Sequence, residues 1–289
     1  MVDNTTLITC IATDDLLGLQ QLLQGHNVND ITIEESYIYS YSEWDSWLDE
    51  SVCRERTCKM YSTLFQFASK KNSVKIAKWL LEMGASVEGF VTSSEDSKKL
   101  TAAHLAASSG SLEIIELLAQ NAKNLLSVRT AVAGQLPLHT AIIYDRIEVV
   151  KFLLSLNEPY CTANTRVNFV ANCSCSGYGH TATYTMENDD TPLHLAKGVQ
   201  MVELLIEYKA DVNAVNSNYG LTPLHTAGSA AVASTLLQNG ADPTIKSKAG
   251  ETPLQRNSVA KVKEVLEKWN TDLAIQNILS TFLASQKTR

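Results

Sequence analysis

Short apolar stripes with helical spacing alternate with polar turns along most of the chain. A first stripe opens at the phrase TPLHLA (191–196), and a second stripe soon afterwards ends in a pair such as Leu204-Leu205. A phrase such as GADP (240–243) then follows several of the second stripes. Apolar positions three and four residues apart indicate amphipathic helices, and glycine favours a left-handed helix end. The pattern therefore predicts a series of helix-turn-helix pairs.

The opening phrase recurs along the chain. Full or partial copies begin at Thr63, Thr101, Leu136, Thr191, Thr222 and Thr252, and a faint one at Thr5. The residues three positions later are Ile8, Gln66, His104, His139, His194, His225 and Gln255, with separations of 58, 38, 35, 55, 31 and 30. Against a unit of about 33 residues, the first and fourth separations contain insertions of about 25 and 22 residues, and the last two units are about three residues short.

The phrase has a local physical logic. Thr is a good N-cap, and Pro at the first helical position loses no hydrogen bond. A His three residues after the Thr can reach back to its hydroxyl, as in a capping box. Four histidines share this position, namely His104, His139, His194 and His225. We therefore interpret all four as structural, which leaves His26 and His180 for other roles.

These phrases together resemble the ankyrin-repeat family, whose unit is a β-turn plus two helices with a T-P-L-H-x-A signature. The resemblance covers most of the chain outside the two insertions, and it is weakest at the two ends. It implies an all-α repeat solenoid, an ankyrin-repeat stack of about seven helix-turn-helix units with two insertions and helical caps. The missing residues of the short units fall between their two helices, which should clip those helices.

We expect one domain over residues 1–289. Its predicted parts are a degenerate N-terminal cap (1–29), an aromatic and acidic insertion (30–61), repeats (62–156), a polar Cys-containing insertion (157–189), short repeats (190–269) and a C-terminal capping helix (270–289). A new helix opening near Thr271-Asp272 is expected to cover the last repeat, because the end of a stack must be made polar or covered.

The first insertion combines aromatic residues and carboxylates. It contains Tyr39, Tyr41, Trp44 and Trp47, and its segment from Ile31 to Tyr41 is rich in β-formers, which predicts a strand or an extended finger. Aromatic side chains beside carboxylates suit a surface that binds a basic partner. The alternative is that these aromatic residues pack over the first two repeats, and the two interpretations are compatible.

The second insertion contains Cys161, Cys173, Cys175 and His180, which are residue types that bind zinc. The spacing is unusual for paired zinc ligands and no fourth ligand is evident, so we favour a flexible loop with ordinary thiols. Catalysis by one of these cysteines is a further alternative, although no acyl-transfer motif surrounds them. We expect no metal and no cofactor.

Composition narrows the class of protein further. The chain has 289 residues, 45% of them hydrophobic, and a net charge of −7, which disfavours nucleic acids and anionic membranes as partners. No apolar run is long enough for a membrane helix, and no basic stretch at the N-terminus precedes an apolar run. The six cysteines are too few for a disulfide scaffold. We therefore expect a soluble cytoplasmic protein.

The resemblance also implies where a partner binds. In ankyrin proteins the turn fingers and first helices contact the partner, and the matching positions here include Lys70, Lys71, Ser108, Ser109, Ile143, Tyr144, Asn188, Asp190 and Tyr219. Tyr144 is the favoured anchor, since large aromatic side chains contribute strongly to interfaces. Ile143 fits the partner-binding surface and the core between repeats equally well.

These observations predict a monomeric, non-catalytic module for protein–protein interaction: an adaptor, an inhibitor or a recruiting protein. No phosphate-binding loop, dinucleotide fingerprint or metalloprotease motif is present. Shortened repeats with irregular insertions also resemble ankyrin proteins of intracellular bacteria, which suggests a secreted effector that acts on host proteins in the host cytosol. The alternative function is an enzyme or zinc protein that uses the second insertion.

Overall fold

The computed structural model describes residues 3–45, 50–88, 92–93, 100–130, 134–167, 169–175 and 182–287. The chain forms two compact units, Met1–Phe152 and Leu153–Arg289. The fold is the helical repeat solenoid that the sequence predicts, with two β-hairpins inserted in it. Whether the whole chain is a single domain stays a prediction.

The described part of the first unit contains four helix pairs. They are α1 (Asn4–Ala12) with α2 (Leu16–Leu22), α3 (Leu64–Lys71) with α4 (Val74–Glu82), α5 (Ala102–Ser109) with α6 (Leu112–Asn121), and α7 (Pro137–Ile143) with α8 (Ile147–Ser155), which ends just beyond the unit. Short 3₁₀ helices at Val28–Asp30 and Lys123–Ser127 follow α2 and α6.

Capping boxes start the first helices as predicted. The backbone N–H of Gln66 donates to Thr63 Oγ1 at 3.2 Å, and Gln66 Oε1 accepts from the backbone N–H of Thr63 at 3.0 Å. The faint first copy of the phrase predicts the wrong N-cap for α1, because Asp3 and not Thr5 caps this helix. The Asp3 carboxylate accepts from the backbone N–H groups of Thr5 and Thr6, since a carboxylate satisfies free donors at a helix start.

Small residues let the first helices pack closely. The four alanines of α5, at 102, 103, 106 and 107, are fully buried, and α5 contacts both α3 and α7. Larger apolar side chains, including Phe65, Phe67, Ile76 and Leu80, fill the core between α3 and α4 and the neighbouring helices. This arrangement fixes the C-terminal ends of α3, α5 and α7 side by side.

The first insertion forms a hairpin of β1 (Thr32–Asp45) and β2 (Glu50–Thr63), and β3 (Thr92–Ser93) pairs with β2. The predicted extended finger is thus confirmed. Its base contacts α1 and α3, and Ile33 is fully buried there. Asn4 Nδ2 also donates to the carbonyl oxygen of Glu34 at 2.9 Å, which attaches the start of β1 to α1.

The second unit carries the shortened repeats. Its helices are α9 (Pro192–Leu195), α10 (Val199–Glu207), α11 (Ala230–Gln238), α12 (Pro253–Arg256) and α13 (Ala260–Lys287). The first element of each repeat is reduced to one helical turn in α9 and α12, and to non-helical turns after Thr222. The predicted clipping is therefore confirmed, and it falls on the first helix of each repeat.

Two expectations for the second unit are wrong. No separate helix opens at Thr271-Asp272, because α13 continues without a break from Ala260 to Lys287. The second insertion is a hairpin of β4 (Phe169–Cys175) and β5 (Ala182–Asn188) where the sequence favoured a flexible loop. The physical reason is the β-forming residues in both segments, Phe169 and Val170 in β4 and Thr183, Tyr184 and Thr185 in β5. None of the described helices has the length and apolarity to cross a membrane.

Candidate functional site

The C-terminal ends of α3, α5 and α7 form a continuous surface on the first unit. Ser109 Oγ donates to the carbonyl oxygen of Ser69 at 2.9 Å, which joins α5 to α3. Arg146 Nε donates to the carbonyl oxygen of Ser108 at 2.9 Å, which joins the end of α7 to α5. We call Lys70, Lys71, Ser108, Ser109, Tyr144 and Arg146 the helix-end surface.

Positive charge and an exposed aromatic ring mark this surface. Lys71 is exposed, with Nζ 5.3 Å from the centre of the buried Phe67 ring, and Lys70 Nζ lies 6.0 Å from the same ring. Tyr144 is the C-cap of α7, and 56% of its surface is exposed. An exposed aromatic side chain on a surface that also carries cations can contact an apolar and acidic partner surface.

The other residues of the first unit that the sequence predicted to contact a partner are less exposed. Ser108 and Ser109 are partly buried, and their hydroxyl groups donate to backbone carbonyls of α5 and α3. Ile143 is half-buried, which is compatible with both roles that the sequence left open, contact with a partner and packing in the core between repeats. Their part in binding stays a prediction.

The aromatic residues of the first insertion lie along β1. The register pairs Tyr39 with Arg56, Tyr41 with Arg54, and Trp44 with Ser51, while Trp47 lies outside the described residues. The sequence pattern did not predict which residues of β2 pair with these aromatic residues.

In the second unit, Asp190 and its neighbour Asp189 bond within the protein. Asp190 Oδ1 accepts from Asn216 Nδ2 at 2.8 Å, and Arg166 pairs with Asp189 at 2.8 Å. Burial alone would raise the pKa of Asp189, but hydrogen bonds from Ser217 and the charge of Arg166 lower it overall. The Asp190 carboxylate thus supports the fold, and its predicted contact with a partner stays a prediction.

Two further predicted contact residues are Asn188, which ends β5, and Tyr219, which is 52% exposed. Arg256 lies beside Tyr219, with the guanidinium carbon 6.0 Å from the ring centre. Arg256 also forms an ion pair with Glu251 at 3.3 Å. Sequence reasoning did not single out Arg256, because no local motif places it next to a tyrosine more than thirty positions earlier.

The cysteines of the second insertion do not form a described metal site. Cys161 is buried, Cys173 and Cys175 lie on β4 opposite Tyr184 and Ala182, and His180 falls outside the described residues. In the part of the chain that the structure describes, no three His, Cys, Asp or Glu side chains are grouped to hold a metal ion. The zinc alternative gains no support from this arrangement.

The repeated histidines are structural, and they bridge neighbouring repeats. His104 Nδ1 accepts from the backbone N–H of Thr101 at 3.3 Å, and His194 and His225 take the same position against Thr191 and Thr222. Their Nε2 atoms lie 3.0, 2.8 and 3.1 Å from the carbonyl oxygens of Gln135, Leu221 and Glu251, each of which precedes the next repeat's first position. Burial lowers the pKa of His104 to about 4 and lowers the pKa values of His194 and His225.

A second bridge between repeats was not predicted. An Asn side chain in one loop donates from Nδ2 to a carbonyl at the end of the next repeat's second helix, and its Oδ1 accepts a backbone N–H two residues later. The three examples are Asn29 with Gly84 and Ser86, Asn164 with Lys209 and Asp211, and Asn213 with Gly240 and Asp242. The recurrence of Asn in these loops was the available signal.

The same bonds place Asn164 in a repeat loop. The described residues before β4, up to Val167, therefore belong to this loop although the sequence assigned them to the second insertion. Val167 donates its backbone N–H to the carbonyl of Asp190 at 2.9 Å, which closes the base of the hairpin.

A family model described as ankyrin repeats, in three copies, matches residues 64–167 and again residues 160–247. The two matches together cover more than half of the chain. This protein belongs to the ankyrin-repeat family. The bridging histidines and the loop asparagines are thus links between consecutive ankyrin repeats.

Solved structures with the same fold are similar at low identity. The ankyrin-repeat domain of human ASB11 has a TM-score of 0.59 at 22% identity, over 90% of this chain and 95% of that one. The ankyrin-repeat domain of Bcl-3, described as a unique member of the IκB protein family, has a TM-score of 0.55 at 19% identity, over 91% and 97%. These likenesses support the ankyrin fold.

A third similar chain comes from a complex between two proteins. In the structure of the predatory endopeptidase Bd0816 of Bdellovibrio bacteriovorus with the immunity protein Bd3460, a chain matches with a TM-score of 0.53 at 20% identity, over 71% of this chain and 96% of that one. Ankyrin repeats are generally modules for protein–protein interaction.

Proposed function

We propose that this protein is a non-catalytic adaptor or inhibitor that binds a partner protein through the helix-end surface of its first unit. The observation that carries the proposal is the exposed Tyr144 ring at the end of α7, on the same surface as the exposed Lys71 at the end of α3, with α5 between the two helices. Large aromatic side chains often form the energetic centre of an interface. The similarity to a chain in a complex between an endopeptidase and its immunity protein supports this class of function.

The helix ends are built to present these side chains rigidly. Asn72 and Gly110 adopt left-handed backbone conformations directly after α3 and α5, and Asp145 does so two residues after the end of α7. The chain therefore reverses within a few residues at each of these helix ends. The bonds of Ser109 to Ser69 and of Arg146 to Ser108 hold adjacent ends together. A surface that is ordered before binding loses less conformational entropy on association.

The test begins with affinity capture by the full chain and identification of the bound protein by mass spectrometry. The affinity for that protein is then measured for Lys71→Glu and Tyr144→Ala, each expected to lower it by about tenfold or more. Lys78→Glu is the matched control, since Lys78 is an exposed lysine on α4, the second helix of the same repeat. Equal affinities for all three variants would reject the helix-end surface.

We further propose that the partner belongs to a host cell, because hairpins inserted among clipped repeats resemble the irregular arrays of bacterial effectors. A translocation reporter fused to the chain tests this idea in infected cells. Retention of the reporter inside the bacteria would exclude the effector role without affecting the binding role.

A further inference from the structure

The first strand of the first hairpin is an open edge of its sheet. The strand order is β1-β2-β3, so β1 pairs with β2 on one side, and no strand of the described residues pairs with its other side. At the base of the hairpin, the Glu34 carbonyl oxygen accepts from Asn4 Nδ2 of α1 at 2.9 Å. Beyond this base, residues 35–45 present a row of backbone N–H and C=O groups that no described strand pairs.

This edge is long and regular. β1 and β2 pair residue for residue from Thr32 opposite Thr63 to Asp45 opposite Glu50, so no bulge interrupts the strand. β1 contains neither Pro nor Gly, and its β-forming residues are Ile33, Tyr37, Ile38, Tyr39, Tyr41 and Trp44. An uninterrupted edge of this kind is a template for the addition of another strand.

The other edge of the hairpin already receives a strand from elsewhere in the chain. β3 (Thr92–Ser93) lies more than twenty-five positions after β2 and pairs with Met60 and Tyr61 of that strand. An extended segment that is not part of the hairpin therefore adds to this sheet within the protein itself. The edge of β1 offers the same kind of backbone pairing to a segment from outside.

Charge decides what kind of segment the edge favours. β1 contains four carboxylates and no Lys or Arg, whereas β2 contains three basic residues against two acidic ones. Residues 32–63 together hold seven Asp and Glu against three Lys and Arg, a net charge of −4 in a chain whose total is −7. The register places Met60 opposite Glu35 and Val52 opposite Glu43. Neither partner is basic, so a segment added at β1 meets a net negative strand.

This charge disfavours two of the possible occupants. A second copy of this chain would place the four carboxylates of one β1 beside those of another, and an acidic segment of another protein would meet the same repulsion. A neutral extended segment gains the backbone bonds alone. A basic extended segment gains the backbone bonds and the charge attraction together, so the edge favours it over the other three.

We propose that the edge of β1 at residues 35–45 binds an extended basic segment of a partner protein as an added strand. Backbone N–H and C=O groups of the segment bond with those of β1, and Lys or Arg residues of the segment lie opposite Glu35 and Glu43. This edge is separate from the helix-end surface, which carries Lys71 and Tyr144. The inference therefore goes beyond the proposed function and can fail independently of it.

The test measures the affinity of the full chain, by calorimetry, for three short peptides in which Thr alternates with Lys, Gln or Glu. We expect the Lys peptide to bind about tenfold or more tightly than the Gln peptide, and the Glu peptide to bind most weakly. A Lys peptide methylated at alternate backbone nitrogens keeps its charge but loses backbone donors. It should bind about tenfold or more weakly than its parent, because strand addition depends on those donors. Hydrogen–deuterium exchange should slow at residues 35–45 when the Lys peptide binds.

Reversal of charge on the edge provides a second measurement. Glu35→Lys combined with Glu43→Lys should weaken binding of the Lys peptide by about fivefold or more, because attraction becomes repulsion. The matched control is Glu82→Lys combined with Glu113→Lys, which changes the net charge equally at exposed positions on α4 and α6 and should keep affinity within about twofold. Circular dichroism checks that each variant is folded, and the methylated peptide tests the edge with the unaltered protein.

Several results would overturn the inference. The Lys peptide could fail to bind, or all three peptides could bind equally, which would remove the preference for basic residues. A methylated peptide that binds as tightly as its parent would show attraction between charges without strand addition. Equal losses in the edge variant and the control would attribute binding to the net charge of the chain.

Discussion

The imidazole of His104 joins two consecutive ankyrin repeats through the backbone carbonyl of Gln135, 3.0 Å from Nε2. Because Nδ1 of the same ring accepts the backbone N–H of Thr101, the neutral ring carries its proton on Nε2 and donates it to Gln135. One buried side chain thus caps its own helix and fixes the start of the next repeat.

Replacing His104 by Ala should lower the free energy of unfolding by about 2–4 kcal/mol, because it leaves a cavity and removes the partner of the buried Thr101 N–H and of the partly buried Gln135 carbonyl. Thermal melts followed by circular dichroism measure the change. His26→Ala is the control, since His26 is exposed in the same unit. His104→Gln should lie between them, because Gln66 already shows that a Gln side chain fills the acceptor role.

Acid should destabilise the fold through the bridging histidines. The unfolded chain binds protons at these rings near pH 6.5, whereas burial lowers the pKa of His104 in the folded chain to about 4. Stability is therefore full above about pH 6.5 and falls as the pH drops toward about 4, by roughly 3 kcal/mol for His104 alone. Urea unfolding at several pH values measures this slope. An equally steep slope in His104→Gln would contradict the assignment to His104.

We expect the protein to be more stable with glycine at position 209 than with Lys209. It follows α10 with φ of +64°, a left-handed conformation in which a side chain is strained, whereas Gly240 fills the matching place after α11 with φ of +89°. We expect Lys209→Gly to add about 0.5–1 kcal/mol and Gly240→Lys to remove a similar amount. Chemical denaturation compares the two variants, and opposite signs to these would refute the strain argument.

The asparagine bridges should contribute measurable stability. Asn213→Ala removes the bonds to Gly240 and Asp242, at 3.0 and 2.8 Å, and should cost about 1–2 kcal/mol. Hydrogen–deuterium exchange should rise at the backbone N–H of Asp242. Asn218→Ala, in the same repeat, removes a side chain for which no hydrogen bond is described and serves as the control. Unchanged exchange at Asp242 would mean that the bridge does not protect it.

Local motifs predicted much of the fold because capping acts over three residues. The Thr-to-His spacing identified the first helices and the structural role of four histidines, and the separations located both insertions. The same approach failed at Asp3, where a carboxylate caps α1 in place of the expected Thr5. It also failed to distinguish one continuous α13 from two helices, since Thr271-Asp272 is a plausible helix start that the surrounding helix overrides.

The candidate surfaces were only partly predictable. Tyr144 and Tyr219 followed from their repeat positions, and both are exposed. The pairing of Arg256 with Tyr219 depends on which residues neighbouring repeats bring together, and no short spacing in the sequence reports that.

The amino-acid sequence by itself determined the repeat unit, its helix starts and the places where units are interrupted or clipped, because these depend on backbone preferences and hydrogen bonds within a few residues. The tertiary structure alone decided which carbonyl each histidine reaches and which loops the asparagines join. Those features arise between residues 26 or more positions apart, so they exist only once the repeats of a unit have packed against one another in a definite register.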